Sequence, residues 1–504
     1  MRIGWVKSAV AVTAPLGIAA AILTIYQSSL LVSPRDSHHL ETPLALVAAR
    51  QALGGFGSIY GPYTEDRPWV AIHAPLYYRI VGLCAWLPHR ALGIDPVAAA
   101  LYAGRIVSLL AWGATLLAVA RLAQLGGKTG QVGIWAALMA ASLTLGLDYP
   151  VTVRPDALGW AQQSWGLLLT LRYLLADSEQ RRWRTLGMGY ACFAFAICVK
   201  QHDAVLAAVS SFLLAAAWTQ GWVRLKSIIL AHALALAILI GDFAAERLIN
   251  GELMTVSLFQ TPGELRHLRP TNLGAVTALL VETAKRTMWL VAIAAACVAM
   301  RPRRTLSGDR ADAILLPFLI AEATATLALY CSSDGAFTNY AVQAALIACA
   351  LTARLLDRLL DENVGWRWLA PMAVALVWAA DDFRLARHPW GSRIQDERDL
   401  TALVAQDSRS AARQTYFAAA HDANRRFGRW EWTHDEWLYD VFETVGAAPK
   451  RDDWMRARLT DGTIRRVIVT NDSERIPGVR QSLPDLGFRR TRVSGRYQVW
   501  EREP

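Results

Sequence analysis

Residues 8–33 run without a single charged side chain, and this stretch limits most severely what the chain can become. A helix needs roughly 20 consecutive apolar residues to cross the hydrocarbon core of a bilayer, and the run exceeds that. A cleaved secretory signal is the weaker alternative, because the apolar core is too long and no small-residue cleavage site follows it. The run is therefore expected to be a retained first transmembrane helix. At 504 residues, 54% hydrophobic and only 19% charged, the remainder is also too apolar for an ordinary soluble globule.

Further apolar segments lie near 98–123, 131–147, 156–176, 184–200, 203–219, 226–248, 276–300, 312–331, 338–357 and 366–381. With the first they make an α-helical polytopic membrane protein of about 11 spans. The stretch 74–93, APLYYRIVGLCAWLPHRALG, is ambiguous: it is short, contains Pro88, and carries Arg79, His89 and Arg90. Cytoplasmic loops are enriched in Lys and Arg. If 74–93 turns back as a juxtamembrane or re-entrant helix, the clusters RRWR (181–184) and RPRR (301–304) fall inside. If it crosses, both move outside. The first arrangement is adopted, with a cytoplasmic N-terminus and a long first outer loop, 33–97.

One consequence was not used in choosing that topology. SPRDSHHLE (33–41), YTEDRPWVAIHAPLYYR (63–79), DYPVTVRPD (148–156), VKQHD (199–203) and CSSDGAFTNY (331–340) now share the outer face. Ionisable groups at membrane depth are costly and are kept where they face a cavity or one another, so these five segments are expected to surround a site. Plain loop polarity is the competing explanation.

The net charge of +10 does not indicate nucleic acid, because the 52 Lys and Arg are dispersed in short segments and form no basic surface stretch. The six cysteines sit in or beside apolar segments and read as small core hydrophobes. Beyond Asp381 the composition becomes charged and Gly-punctuated. This divides a membrane domain, 1–381, from an extracytoplasmic α/β domain, 382–504. There RRVIVTND (465–472) and RYQVWERE (496–503) read as strands, with a short helix ended by Gly487 between them.

The order of an acid after the first helix, His73-Ala74-Pro75-Leu76-Tyr77-Tyr78, Arg154-Pro155-Asp156, Lys200-Gln201 and Gly335-Ala336-Phe337-Thr338-Asn339-Tyr340 resembles the polytopic GT-C glycosyltransferases. The likeness is to the bacterial branch that includes lipid A aminoarabinose transferases and, more distantly, to protein O-mannosyltransferases. It covers roughly residues 8–381. The resemblance implies a bacterial inner-membrane enzyme that takes a sugar from a polyprenyl-phosphate donor. It would pass that sugar, with inversion, to an envelope lipid, glycan or protein. The first-loop acid of the family corresponds to Asp36, with Glu41 as a second candidate. Related enzymes often carry two adjacent acids there, whereas this chain has Asp36-Ser37. A divalent metal is therefore an open expectation.

Inverting transfer needs a carboxylate to accept the acceptor's proton, the role expected of Asp36; an interfacial or helix-capping aspartate is the plain alternative. The departing phosphate needs fixed cationic donors. Arg154, Lys200, His73 and Arg79 are the candidates, Arg for its planar fork and Lys200 for its place at the apex of a tight helical pair. Against this, Lys200 may be read as a snorkelling end residue, Arg154 as the partner of Asp156, and Arg79 as a headgroup contact. Tyr77, Tyr78, Asp156, Gln201, Asn339 and Tyr340 are candidates for the sugar or acceptor. His38, His39 and Glu41 invite a metal, but adjacent histidines cannot readily share one ion and no HxxxH spacing accompanies them. A transporter or lipid flippase is the main alternative; it would call for paired half-helices or an internal repeat, and neither stands out. A structural subunit serving its outer domain is the other.

Overall fold

The computed structural model describes residues 2–32, 41–54, 57, 59–60, 71, 73–145, 147, 149–177, 181–200, 203–260, 273–299, 310–332, 338–361, 373, 377, 415–417, 448–470, 482–494 and 497–502. The membrane part is helical: α1 Arg2–Val32, α2 Glu41–Gly54, α3 Pro75–Leu92, α4 Pro96–Ala123, α5 Gly130–Ala141, α6 Asp156–Leu175, α7 Trp183–Val199, α8 Val205–Thr219 and α9 Leu225–Asn250. A short α10, Glu252–Thr255, runs into a π turn, Val256–Gln260, and is followed by α11 Leu273–Ala299, α12 Arg310–Ser332 and α13 Val342–Asp361. Among the described residues, α1, α4, α9, α12 and the stretch Thr338–Leu360 are long and apolar enough to cross a membrane, and α5, α7 and α8 are shorter apolar helices. Ten of the segments expected to span are thus helical. Of the eleventh, 366–381, only residues 373 and 377 are described, and the expected boundary at 381/382 lies outside the described residues.

Local chemistry explains several ends. Pro96 occupies the first turn of α4, and Asp95 caps it by accepting the Ala98 N–H at 2.8 Å. Gly93, at φ 64°, closes α3 through its N–H to the His89 carbonyl at 3.1 Å. The stretch 74–93 is therefore one helix, packed on α2 and α4 through buried Tyr77, Tyr78, Val81 and Ala85. Its other face exposes Leu83, Trp86, Leu87 and Leu92, as suits contact with lipid. His73 precedes this helix.

The expected span 131–147 is shorter than its apolarity implied, since α5 stops at Ala141. Carbonyls that would have continued the helix serve distant partners instead. The Thr144 oxygen accepts from Arg286 at 2.6 Å and the Leu145 oxygen from Thr338 at 2.8 Å. The bundle closes tightest between α6 and α7, where a Cβ on Gly166 would lie 2.6 Å from the Phe193 ring. Small residues permit this approach where no hydrophobic drive separates helix from lipid. One apolar core joins α1, α4–α9 and α11–α13, and a second joins α2 and α3 to the start of α4.

The C-terminal part holds a four-stranded sheet in the order β1-β2-β4-β3: β1 Thr415–Phe417, β2 Arg466–Thr470, β3 Phe488–Ser494 and β4 Tyr497–Arg502. β1 runs parallel to β2, and β4 pairs antiparallel with both β2 and β3. Helix α14, Ala448–Thr460, adds Met455 and Leu459 to a core with Ile464, Val467, Leu483, Phe488 and Trp500. The expected short helix before Gly487 is a single 3-10 turn, Pro484–Leu486, within the described residues; 471–481 lie outside them.

Candidate functional site

Three elements bring their ends together around Asp156. The chain enters α6 through a 3-10 turn, Tyr149–Val151, held when Ser108 Oγ donates to the Thr152 carbonyl at 2.6 Å. Asp156 is the first residue of α6, where a negative charge is favoured by the helix dipole. Lys200 caps the C-terminus of α7 in extended backbone, φ −150° and ψ 114°, at the end that favours a cation. Asn339 and Tyr340 lie in a 3-10 turn, Thr338–Ala341, pinned when Thr326 Oγ1 donates to the Tyr340 carbonyl at 3.0 Å.

The Asp156 carboxylate collects all three. Its Oδ1 accepts from Lys200 Nζ at 2.7 Å and from Asn339 Nδ2 at 2.6 Å; its Oδ2 accepts from Arg154 Nε at 3.0 Å. The Asp156 side chain is wholly buried, and those of Arg154 and Lys200 are nearly so. Arg154 lies over the Tyr149 ring at 4.4 Å, and Lys200 over the Tyr340 ring at 4.7 Å. Burial pushes the Tyr149 phenol up to about 12 even though the Arg154 charge opposes it. Tyr149 therefore stays neutral as a platform. One carboxylate thus stands between two desolvated cations, and the trio retains one positive charge. Such an arrangement can hold an anion.

Other sequence candidates flank this trio. His73 is held through its carbonyl, which accepts the Tyr60 hydroxyl, and its imidazole acts electrostatically on Asp156. Tyr77, fully buried, feels the charges of both Glu41 and Asp156, and its ring meets Tyr78 edge-on at 6.0 Å. Asp36, His38, His39 and Gln201 lie outside the described residues.

Two candidates occupy different surroundings from those expected. Glu41 is fully buried and bound to Arg105: Nε to Oε1 at 3.0 Å and Nη2 to Oε2 at 2.8 Å. Its Oε1 also accepts the Val153 N–H at 2.8 Å. It ties α2 to α4 and to the segment that carries Arg154. Arg79 pairs with Glu246 of α9, Nε to Oε1 at 2.8 Å and Nη2 to Oε2 at 2.7 Å, and its Nη1 donates to Gln51 and, at 2.8 Å, to the Gly57 carbonyl. Asn250, one turn beyond Glu246, accepts the Ile59 N–H at 2.7 Å. Arg79 therefore anchors the first loop to α9, away from Asp156.

Sequence reasoning passed over Arg105, Glu246 and Asn250, and also Tyr149. The first three are polar residues inside long apolar runs, which is itself the signal that could have found them. Among the described residues no group of three or more His, Cys, Asp and Glu is arranged to hold a metal ion.

No protein-family model matches the chain. No curated protein matches it either. Solved structures do. The fold is similar to that of ArnT from Cupriavidus metallidurans in the apo state, with TM-score 0.62 and 12% identity over 95% of this chain and 97% of that one. It is also similar to the Archaeoglobus fulgidus oligosaccharyltransferase in the apo form, with TM-score 0.52 and 10% identity over 91% of this chain and 69% of that one. At such identities the likeness is one of fold. The chain has the helical fold of these two solved structures, with several helices long and apolar enough to cross a membrane, and this is the fold class its motifs led one to expect.

Proposed function

We propose that this protein is an inverting membrane glycosyltransferase. It moves a sugar from a polyprenyl-phosphate donor to an extracytoplasmic acceptor, which is an envelope lipid, glycan or protein. The observation that carries this reading is the pair of desolvated cations, Arg154 and Lys200, sharing the single carboxylate of Asp156. Their surplus charge suits the phosphate that accumulates negative charge as the bond to the anomeric carbon breaks.

A cavity of about 640 Å³ supports a lipid-linked donor. It is walled by α11, α12 and α13, with Leu280, Leu290, Leu316, Leu319 and Leu351 among its apolar lining. It reaches Ala341, the residue after Tyr340, so a hydrocarbon tail laid in it brings its phosphate end towards Lys200. Asn339 and Asp156 bond sugar hydroxyls, with Tyr77, Tyr78 and Tyr340 beside them, and Gln201 is assigned to the same task from its place in the sequence. Asp36 takes the acceptor's proton. We assign Glu41 and Arg79 to holding the first loop, because their polar atoms are engaged by Arg105 and Val153 and by Glu246, Gln51 and Gly57. The described residues do not form a metal site, and no step here is routed through a metal. In this assignment the N-terminus is cytoplasmic, residues 1–381 form the catalytic membrane domain, and 382–504 form an outer domain.

The test is sugar transfer by full-length protein in membranes supplied with lipid-linked donor, read by mass spectrometry of the glycosylated products. Asp36→Asn and Lys200→Ala are expected to abolish product while leaving expression unchanged. Wild-type rates in both variants would sink the assignment.

A further inference from the structure

Asp203 and Glu322 take no part in this chemistry, and each has a buried carboxylate oxygen. Asp203 sits in the turn between α7 and α8, folded back so that its N–H donates to the Lys200 carbonyl at 3.0 Å. Its carboxylate lies on the bare backbone of Gly159, where an added Cβ would stand 2.1 Å from Oδ2. Gln163, one turn further along α6, bonds the Asp203 side chain, yet Oδ2 is buried without a hydrogen-bond partner. Glu322 projects from α12, 7% exposed, and its Oε1 is likewise buried and unpartnered. The charge of Asp203 bears on Glu322, and those of Lys200 and Asp156 bear on Asp203.

Counting charges across this connected group decides what it can bind. Arg154 and Lys200 are both committed to Asp156. If Asp203 and Glu322 were also ionised, three carboxylates would oppose two cations, and an incoming phosphate would meet net negative charge in a medium that screens poorly. One proton on the acid pair neutralises the group, and a second restores the positive surplus. We propose that Asp203 and Glu322 form a proton-binding site that is loaded together with the lipid phosphate. The anion at Arg154 and Lys200 and the proton at the acid pair favour each other's binding. This inference rests on the phosphate reading of Arg154 and Lys200.

Coupling of this kind is reciprocal: whatever the anion does to proton affinity, protonation does to anion affinity. Burial raises the Asp203 carboxyl to about 7, although Lys200 opposes the rise, so its titration falls in the working range. The sign follows directly. Below that value Asp203 is neutral and no longer opposes the phosphate, and with Glu322 protonated as well the group carries a positive surplus; above it, affinity declines. The groups facing Asp203 are Lys200 and Asp156, Gln163 on α6 and Glu322 on α12; Arg154, Tyr149, Tyr340 and His73 stand around Asp156. Of these neighbours, His73 also titrates near neutral pH by nature, so it serves as the control.

The experiment measures binding of a polyprenyl methyl phosphate to full-length protein in nanodiscs between pH 6 and 8.5. This diester carries one charge that does not titrate in that range. Wild-type affinity is expected to fall as pH rises, approaching about tenfold per pH unit above the Asp203 value. Asp203→Asn, which mimics the protonated acid, is expected to bind more tightly than wild type at pH 8.5 and to lose most of the pH dependence, keeping only the part that Glu322 contributes. Glu322→Gln is expected to flatten the decline, and His73→Gln to keep it. Because the decisive variant gains affinity, misfolding cannot imitate the result. A wild-type pH course in Asp203→Asn, or a course abolished by His73→Gln, overturns the proton site alone. Failure of wild type to bind the diester at any pH overturns the phosphate reading and the proton site with it.

Discussion

Glu41 grips Arg105 with both carboxylate oxygens, at 3.0 and 2.8 Å, and neither side chain is exposed. Arg105 also donates to the Leu30 carbonyl at 2.9 Å, so the pair joins the end of α1, the start of α2, the middle of α4 and the backbone before Arg154. Removing one partner strands a buried charge, at a cost of ~3–5 kcal/mol. Glu41→Ala is expected to lower the thermal midpoint in detergent and to reduce transfer only in proportion to folded protein. A double replacement, Glu41→Leu with Arg105→Met, is expected to recover much of the stability. Full stability of the single variant with loss of turnover would instead make Glu41 part of the chemistry.

Asn339 donates to an oxygen that already accepts from Lys200. Asn339→Ala removes one bond to a charged group, worth ~1.5–3 kcal/mol, and is expected to cut kcat/KM by about ten- to a hundredfold. Asn339→Asp should be worse than Ala, since it places a second carboxylate against Asp156. Equal rates for the two variants would show that the amide does not organise the carboxylate during turnover.

Arg79 and Glu246 latch the first loop to α9. Either residue changed to Ala is expected to destabilise by ~3–5 kcal/mol and to increase proteolytic cleavage within 55–72. The exchange Arg79→Glu with Glu246→Arg should restore part of the protection. Limited proteolysis with mass spectrometry reads this directly, and undiminished protection in the single variants would remove the latch.

Gly159 leaves the space that the Asp203 carboxylate fills. Gly159→Ala is expected to displace that carboxylate and to weaken the pH dependence of phosphate binding, while far-UV circular dichroism stays unchanged. A pH course identical to wild type would place Asp203 outside the coupled group.

Charge inside apolar sequence was the legible signal, and it served the site well. Arg154, Asp156, Lys200 and Asn339 stood out at segment ends, and they converge on one carboxylate. Partnership was not legible. Glu41 and Arg79 looked available because Arg105 and Glu246 lie within α4 and α9, where the hydropathy of a long apolar helix averages them away. Glu322, inside α12, escaped for the same reason. In the sheet, β2 and β4 announced themselves through buried Val467, Val469, Val499 and Trp500, whereas β3 did not. Its FRRTRVS is mostly polar and pairs with β4 alone, across an irregularity between Arg490 and Arg492. The early end of α5 was invisible because Leu143 and Leu145 continue the apolar run, and only distant side chains claim the Thr144 and Leu145 carbonyls beyond it.

At 12 residues, α5 spans about 18 Å, well short of the ~30 Å hydrocarbon core of a bilayer. The described residues that follow it, 142–145, 147 and 149–155, are not α-helical, and on the proposed topology they would run below the membrane surface, where neighbouring helices shelter them. A lipid-borne phosphate would meet Arg154 and Lys200 near its own depth and need not be lifted out of the leaflet. On the proposed function it is the acceptor that would make the longer journey, to a reaction within the thickness of the membrane.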